Sequence, residues 1–299
     1  MTLEGSQPSL LDLRGHKVTF ARLVLSPAGK VRTGSGGKLS LKQLIIDGKR
    51  MADGVYTASQ TWLEGSGTVT VDARVDVQGI YGAPDVEIGR GNIANLTGNT
   101  KFAYPASAID LDILTNGFTA TLDSGDGNAF SCSGSISGTG NVEFFMGPSY
   151  TGFRDAPLRL TGARPNTTTG KFFVRKGRVQ LEKPAGVDAI SGDVIVGGQG
   201  FNDCLFWANS DQLRDTVNIT LIDAGNNGAA YLDLNGKSET ATSLTMTVHN
   251  KIKTDSADGK SGGLTVKSLT VGGVTKSAGA YTAATEKWIE GKGQVVVRP

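Results

Sequence analysis

Short runs in which apolar and polar residues alternate recur along the whole chain. Clear examples are KLSLKQLII at 38–46, TVTV at 68–71, VIV at 194–196 and QVVV at 294–297. Each run is too short for a core helix and is rich in Val, Ile, Thr and Leu, which fit the pleated, half-buried surface of a sheet. The pattern predicts an all-β fold in which one segment, 209–216, begins like a helix and is long enough for a turn or two.

A second pattern is an internal repeat, because residues 10–71 realign with residues 231–297. Both copies keep Gly-x-Tyr-Thr-Ala and, further on, Trp-x-Glu-Gly-x-Gly. Alternate Leu and Val suit an inward row, and a tryptophan can plug the wide end of a core. We therefore expect residues 1–72 to be the carboxyl-terminal part of a preceding solenoid module, and residues 73–299 to be a complete module that ends in the second copy.

Glycine content narrows the choice among all-β folds. The 42 glycines among 299 residues are about twice the average usage and indicate many tight turns. A sandwich needs hairpin turns between paired alternating runs, yet the Asn-Gly and Asp-Gly dipeptides at 116–117, 126–127 and 235–236 have no clear partners. We therefore predict a coiled β-solenoid with about 20 to 25 residues in each coil.

One stretch, 133–197, carries the motifs of a known family. It contains a Gly-x-Gly strand at 138–140, a Leu-x-Leu-x-Gly strand at 158–162, an Asn-Thr-x-Thr-Gly turn at 166–170 and a Gly-Arg-Val-Gln-Leu strand at 177–181. It resembles the autotransporter-associated β-strand repeat in the passenger regions of exported bacterial proteins, with Thr168 where the family has Tyr. The resemblance implies a right-handed parallel β-helix, a single elongated rod, without catalytic activity of its own.

The resemblance also implies a role and a location. We expect a structural or adhesive segment of a secreted or surface-displayed bacterial protein, which serves as a stalk, spacer or presentation scaffold. Because no signal peptide or anchor is visible, we expect the chain to be part of a longer exported protein. The expected partners are neighbouring solenoid modules or further copies of the chain, end to end, since residues 1–10 and 298–299 offer no plug for the strand edges. The formal charge of +2 and the lack of any run approaching about 20 apolar residues argue against nucleic-acid binding and membrane insertion.

The sequence contains no clear arrangement of catalytic residues. Asp110 and Asp112 are two apart, on one face of a strand, but they alternate with Leu and Ile as the solvent side of a half-buried strand does. Arg154 has a loop-like setting, and neither His16 nor His249 has a recognisable nucleophile. We therefore predict no catalytic residue and no cofactor.

Metal binding and disulfide formation are not favoured either. The clustered carboxylates at 123–128 and 255–259 lack the spacing of a calcium loop, so we predict no metal site. Cys132 and Cys204 are expected to be small buried hydrophobic residues, with one disulfide between them left as an alternative.

Sugar binding is the alternative function. Aromatic rings stack on pyranose faces, and Trp207, Tyr150, Phe153 and Tyr104 are the candidate contacts with an extracellular polysaccharide on the flank of a rod. The second hypothesis is therefore a carbohydrate-binding module of a polysaccharide-active protein. A β-helix polysaccharide lyase or hydrolase ranks third.

Overall fold

The computed structural model describes residues 2–3, 9–71, 86–88, 93–103, 108–124, 130–145, 157–200, 202–224 and 228–298. These residues contain no helix, and most of their strand pairs are parallel. The predicted all-β class is therefore confirmed. The expected helical turn at 209–216 is wrong, because this segment turns at Asp211 with positive φ and joins Leu213 to Ile190 in a parallel bridge.

The first set of strands lies within residues 2–71 and forms a six-stranded and a three-stranded sheet. The strands are β1 (Thr2–Leu3), β2 (Leu10–Asp12), β3 (Lys17–Leu25), β4 (Lys30–Arg32), β5 (Lys38–Ile46), β6 (Lys49–Arg50), β7 (Gly54–Tyr56), β8 (Leu63–Glu64) and β9 (Thr68–Val71). The larger sheet has the order β1-β3-β5-β9-β7 with β6 on β5, and the smaller has the order β2-β4-β8.

The second set lies within residues 86–297 and forms sheets of four, eleven and eight strands. The strands are β10 (Val86–Ile88), β11 (Ile93–Leu96), β12 (Thr100–Ala103), β13 (Ala108–Ile109), β14 (Asp112–Leu114), β15 (Ala120–Asp123), β16 (Phe130–Cys132), β17 (Ile136–Ser137), β18 (Val142–Phe145), β19 (Leu158–Leu160), β20 (Phe172–Val174), β21 (Arg178–Leu181), β22 (Val194–Val196), β23 (Cys204–Trp207), β24 (Asn218–Leu221), β25 (Tyr231–Asp233), β26 (Ser238–Met246), β27 (Lys251–Lys253), β28 (Gly263–Val271), β29 (Val274–Thr275), β30 (Gly279–Thr282), β31 (Ile289–Glu290) and β32 (Gln294–Val297).

The chain visits these three sheets in rotation from β11 to β19 and then alternates between the eleven-stranded and eight-stranded sheets as far as β28. The four-stranded sheet has the order β10-β11-β14-β17, the eight-stranded sheet β13-β16-β19-β21-β23-β25-β27-β31, and the eleven-stranded sheet β12-β15-β18-β20-β22-β24-β26-β28-β32-β30 with β29 on β28. Parallel neighbours are about one predicted coil apart: Ala120 pairs with Val142, 22 residues later, and Ile219 with Leu244, 25 residues later.

Alternate residues of each strand point into one core, so the pairing register builds continuous apolar rows. Two rows cross the eleven-stranded sheet and one crosses the eight-stranded sheet. They are Ala120-Val142-Phe172-Val194-Ile219-Leu244-Leu269, Leu122-Phe144-Val174-Val196-Leu221-Met246-Val271 and Phe130-Leu158-Val179-Leu205-Leu232-Ile252-Ile289. Every one of these side chains is buried.

The two repeat copies fold alike but belong to separate cores. Strands β2 to β9 of the first copy correspond in order, sheet membership and pairing to β25 to β32 of the second. The first core contains residues between Leu13 and Val71, and the second contains residues between Ala94 and Val297. Among the described residues no strand pairs across this division. The predicted boundary at 72/73 itself lies at the edge of the described part, so the two-module organisation stays a prediction.

Candidate functional site

The Gly-x-Gly segments form a corner that occurs three times, each built around a buried threonine. Thr115 Oγ1 donates to Ser137 O at 2.9 Å and accepts from Gly140 N at 2.9 Å. Thr33 makes the same two bonds to Glu64 O and Gly67 N, and Thr254 makes them to Glu290 O and Gly293 N. We call these three sites the threonine corners. In each corner the threonine hydroxyl thus joins a carbonyl and an N–H group of the same Gly-x-Gly turn.

Both glycines of a threonine corner are required by sterics. The first has a φ of 98°, 102° and 107° at Gly65, Gly138 and Gly291, in the region that L side chains rarely adopt. At the second, a Cβ built on Gly140 would lie 1.8 Å from Phe118 O in the neighbouring layer, and one on Gly293 would lie 1.9 Å from Gly262 O. These glycines therefore allow two backbones to stack.

The Asn166 side chain links neighbouring backbone layers at the point where the four-stranded sheet ends. Its Oδ1 accepts from Ile136 N at 2.9 Å, and its Nδ2 donates to Ala189 O at 2.7 Å. The side chain is 4% exposed, so both bonds are shielded from water. The Asn of the sequence motif at 166–170 thus acts as a bridge between the layer before it and the layer after it.

In each core the repeat itself covers the last parallel strand of the larger sheet. β7 runs antiparallel to β9, and β30 runs antiparallel to β32, so the last parallel strand does not end in a bare edge. Trp62 packs on Tyr56 with ring centroids 5.6 Å apart, and Trp288 packs on Tyr281 at 6.3 Å. Both tryptophans are buried, as the expected plugging role requires. These two strand edges are therefore paired within the chain itself, and the expected covering of the ends by neighbouring modules stays a prediction.

Trp207 is not placed to contact a sugar. Its side chain is fully buried in the core, and its Nε1 donates to Glu239 Oε2 at 2.7 Å. The same oxygen accepts from Gln212 N and Leu213 N, while Oε1 accepts from Thr240 N. Burial raises the pKa of Glu239 to about 7, although these N–H donors favour the ionised form. The indole therefore serves internal packing, because Leu-Phe-Trp places it on the inward side of β23.

The other candidate sugar contacts, Tyr150, Phe153 and Tyr104, lie outside the described residues. Two of the aromatic rings that face outward on the described sheets are covered by cations. Arg178 lies 3.8 Å above the Phe206 ring and Arg175 lies 3.9 Å above the Phe173 ring. A sugar would have to displace these guanidinium groups before it could stack there.

The carboxylates considered for catalysis are engaged in structure. The chain turns between β13 and β14, so Asp110 and Asp112 do not share one strand, and the expectation that they do is wrong. Asp110 accepts from Ser133 Oγ at 2.7 Å, and Asp112 accepts from both Arg164 and Ser135 N. Burial acts to raise the pKa of Asp112, but the bonds from Arg164 and Ser135 outweigh it and hold the pKa below its usual value.

The remaining titratable candidates are dispersed. His16 is exposed, and His249 Nδ1 lies 3.5 Å from Asp223 Oδ2 on the surface. Arg154 is outside the described residues. The described part of the chain contains no group of three or more His, Cys, Asp or Glu side chains arranged to hold a metal. Of the predicted carboxylate clusters, Asp258 is bonded to Lys260 at 2.9 Å, and residues 125–128 are outside the description.

Both cysteines are free and buried, as the sequence suggested. The strand order β16-β19-β21-β23 places Cys132 and Cys204 three strand spacings apart in one sheet, or about 14 Å. This is too far for a disulfide, which needs Cα atoms within about 7 Å. Burial also raises the pKa of each thiol to about 12, so neither is a reactive thiolate.

Two buried charges were not found from the sequence. Lys183 is fully buried and donates from Nζ to Thr161 O at 2.7 Å and Arg164 O at 2.8 Å. Asp203 is also fully buried and accepts from Gly177 N at 2.9 Å. Burial lowers the pKa of Lys183 and raises that of Asp203 to about 6. Both side chains form hydrogen bonds with backbone groups at corners, so their role is structural.

No family model, curated protein or solved structure matches this chain. The likeness to the autotransporter-associated repeat therefore stays a prediction. Within the described residues, no helix is long and apolar enough to cross a lipid bilayer.

Proposed function

We propose that the chain is a non-catalytic structural segment of a secreted or surface-displayed bacterial protein, folded as a right-handed parallel β-helix that spaces or presents other domains. The observation that carries this proposal is the unbroken stacking of inward apolar rows across parallel strands from Ala120 to Leu269. In such a stack each layer contacts only its neighbours, so length grows with the number of layers.

Three further features support a β-helix. The chain returns to the same sheets in a regular order, three in rotation up to β19 and two in alternation from there to β28, as a coiled chain would. Parallel crossovers within a sheet are right-handed in about 98% of known cases. The threonine corners recur at equivalent bends, and the Tyr–Trp hairpins close each core. Together these features suit a rod whose interior is dry and whose role is mechanical.

The spacing role can be tested with spin labels at Thr121 and Thr245, which lie in one outward row five strand spacings apart. At about 4.8 Å per strand, the Cα atoms should be about 24 Å apart. Duplicating residues 194–218, one full period of the pairing register, should lengthen the separation measured by pulsed electron resonance by about 5 Å. An insertion of the same residues in scrambled order is the control and should not give this increment.

Binding and turnover distinguish the alternatives. The spacer proposal predicts no specific retention on an array of extracellular polysaccharides and no release of reducing or unsaturated ends from them. Specific retention of one polymer, lost on substituting an outward aromatic residue such as Phe206, would instead support a carbohydrate-binding module. Turnover that depends on Asp112 would support an enzyme.

A further inference from the structure

The amino-terminal side of the first core presents strand edges that are not capped as its carboxyl-terminal side is. Among the described residues, β2 pairs only with β4, and the first half of β3, Lys17–Phe20, pairs only with β5. β1 adjoins β3 only at Val24 and Leu25. The inward-facing side chains of these strands, Leu11, Val18 and Phe20, are partly rather than fully buried.

The second repeat copy shows what covers the same side of an equivalent structure. β25, the counterpart of β2, pairs on that side with β23, and the second half of β26, Ser243–Met246, pairs with β24. The first half of β26, the counterpart of Lys17–Phe20, is covered by the turn before β24, where Asp211 N donates to Ser238 O at 3.0 Å. As a result Leu232 and Ala241, which correspond to Leu11 and Phe20, are completely buried. The cover is one layer, made of β23, the turn at 210–217 and β24, with Leu, Trp and Ile on its inner side.

The position of β1 strengthens the correspondence. Thr2 and Leu3 pair with Val24 and Leu25. In the second copy Thr220 and Leu221, the last two residues of β24, pair with Thr245 and Met246. The first copy therefore contains the final two residues of the covering strand in the same place, with the same Thr-Leu sequence.

We propose that β2 and the first half of β3 form a docking surface for one layer supplied by a neighbouring solenoid module, with a parallel strand on β2 and a turn on the first half of β3. This inference rests on the proposed function and specifies how two modules join. Strand addition would satisfy backbone groups along β2, and the turn would bond the start of β3 as Asp211 N bonds Ser238 O. A complementary apolar inner face would complete the burial of Leu11, Val18 and Phe20. The joint is directional, because at the opposite end the last parallel strand of the larger sheet, β9, is already paired with β7.

The residue at position 18 sets what kind of layer fits. In the second copy the equivalent residue, Glu239, accepts N–H groups of the covering layer from Trp207, Gln212 and Leu213. Val18 has no acceptor. The layer that docks on the first copy should therefore have an aliphatic inner face and no indole N–H at this point, because an unpaired buried donor costs about 1–3 kcal/mol.

A fusion provides the test. Residues 202–230, the natural covering layer, are joined directly to Leu10 in place of residues 1–9, in the otherwise complete chain with Val18→Glu. In the second copy Tyr231 N donates to Asp203 O at 2.8 Å and Thr242 N donates to Val217 O at 2.9 Å. We therefore expect exchange of the equivalent amides, Leu10 and Ala21, to slow at least tenfold relative to the natural chain. The same fusion with Ile219→Pro in the added layer is the matched control and should not give this protection.

Unchanged exchange at Leu10 and Ala21, with the added layer remaining sensitive to protease, would overturn the proposal. A second measurement covers a fusion that does not fold: a synthetic peptide of residues 202–224 added to the Val18→Glu chain should shift the amide signals of β2 and β3, and the lack of any shift at millimolar peptide would also overturn it. If either test fails while duplication of residues 194–218 still increases the measured separation between Thr121 and Thr245, the docking surface is refuted and the spacer function stands.

Discussion

A methyl group at Gly140 tests how closely neighbouring backbone layers are stacked. The Cβ of an alanine there would lie 1.8 Å from Phe118 O, whereas real Cβ contacts stay at 3.0 Å or more. The two layers must therefore separate by at least about 1.2 Å. Two nearby bonds of 2.9 Å, from Gly140 N to Thr115 Oγ1 and from Ala120 N to Asn141 O, would lengthen to about 4 Å and be lost.

The expected cost follows from these two changes. Each of the two lost hydrogen bonds contributes about 1 kcal/mol, and overpacking adds about 1–3 kcal/mol, so Gly140→Ala should lower the free energy of unfolding by about 3–5 kcal/mol. Equilibrium unfolding in urea, followed by tryptophan fluorescence, measures the change. Gly263→Ala is the control because its Cβ would meet nothing closer than Gln294 O at 3.3 Å, and it should cost less than about 1 kcal/mol. Equal stabilities of the two variants would refute the close stacking of layers.

Three further results are expected. Thr254→Val should destabilise the protein by about 1–3 kcal/mol because it leaves the buried Gly293 N–H without its acceptor. Thr254→Ser, which keeps the hydroxyl, should retain most of the stability. Equal losses of stability in chemical denaturation would contradict the role of the threonine hydroxyl in the corner. The Glu239 carboxyl has a folded-state pKa raised to about 7, so its contribution to the free energy of unfolding should be fully present below about pH 4.5 and should decline as the pH rises to 7. This part of the pH dependence of unfolding should be missing in Glu239→Gln. An unchanged profile in that variant would count against the raised pKa. Cys132 and Cys204 should react with a thiol reagent only after unfolding, and a reductant should leave the melting temperature unchanged; rapid labelling of the folded chain would show that the thiols are accessible.

Much of the strand pattern was readable from the sequence. The runs at 38–46, 68–71, 194–196 and 294–297 coincide with β5, β9, β22 and β32, because alternation along a half-buried strand is a local property. The repeat predicted that two segments fold alike, and their strands do correspond one for one. The Asn-Gly pairs at 116–117 and 235–236 were also expected not to join hairpins, and they link strands of different sheets.

Contacts between layers could not be predicted from the sequence. The threonine of each corner lies 22 to 36 residues before the carbonyl that it binds, so no local spacing reveals it. Glu239 occupies an inward position that a charged residue rarely takes, and only the stacked layer supplies its N–H donors. That Trp207 faces the core and not a sugar was hidden for the same reason, since an aromatic residue on a strand can face either side until the pairing register is known. Partners across layers depend on the register, which is a tertiary property.

The central claim, parallel layers stacked in register, is tested most directly by engineered disulfides along one outward row. Thr220 pairs with Thr245, and Thr245 pairs with Thr270. The Thr220→Cys/Thr245→Cys variant places two thiols on adjacent strands about 4.8 Å apart, within the range of a disulfide, whereas Thr220→Cys/Thr270→Cys places them about 10 Å apart. Mild oxidation of the folded protein should close the first pair and leave the second open. Failure of the first pair, or equally ready closure of the second, would contradict the stacked arrangement.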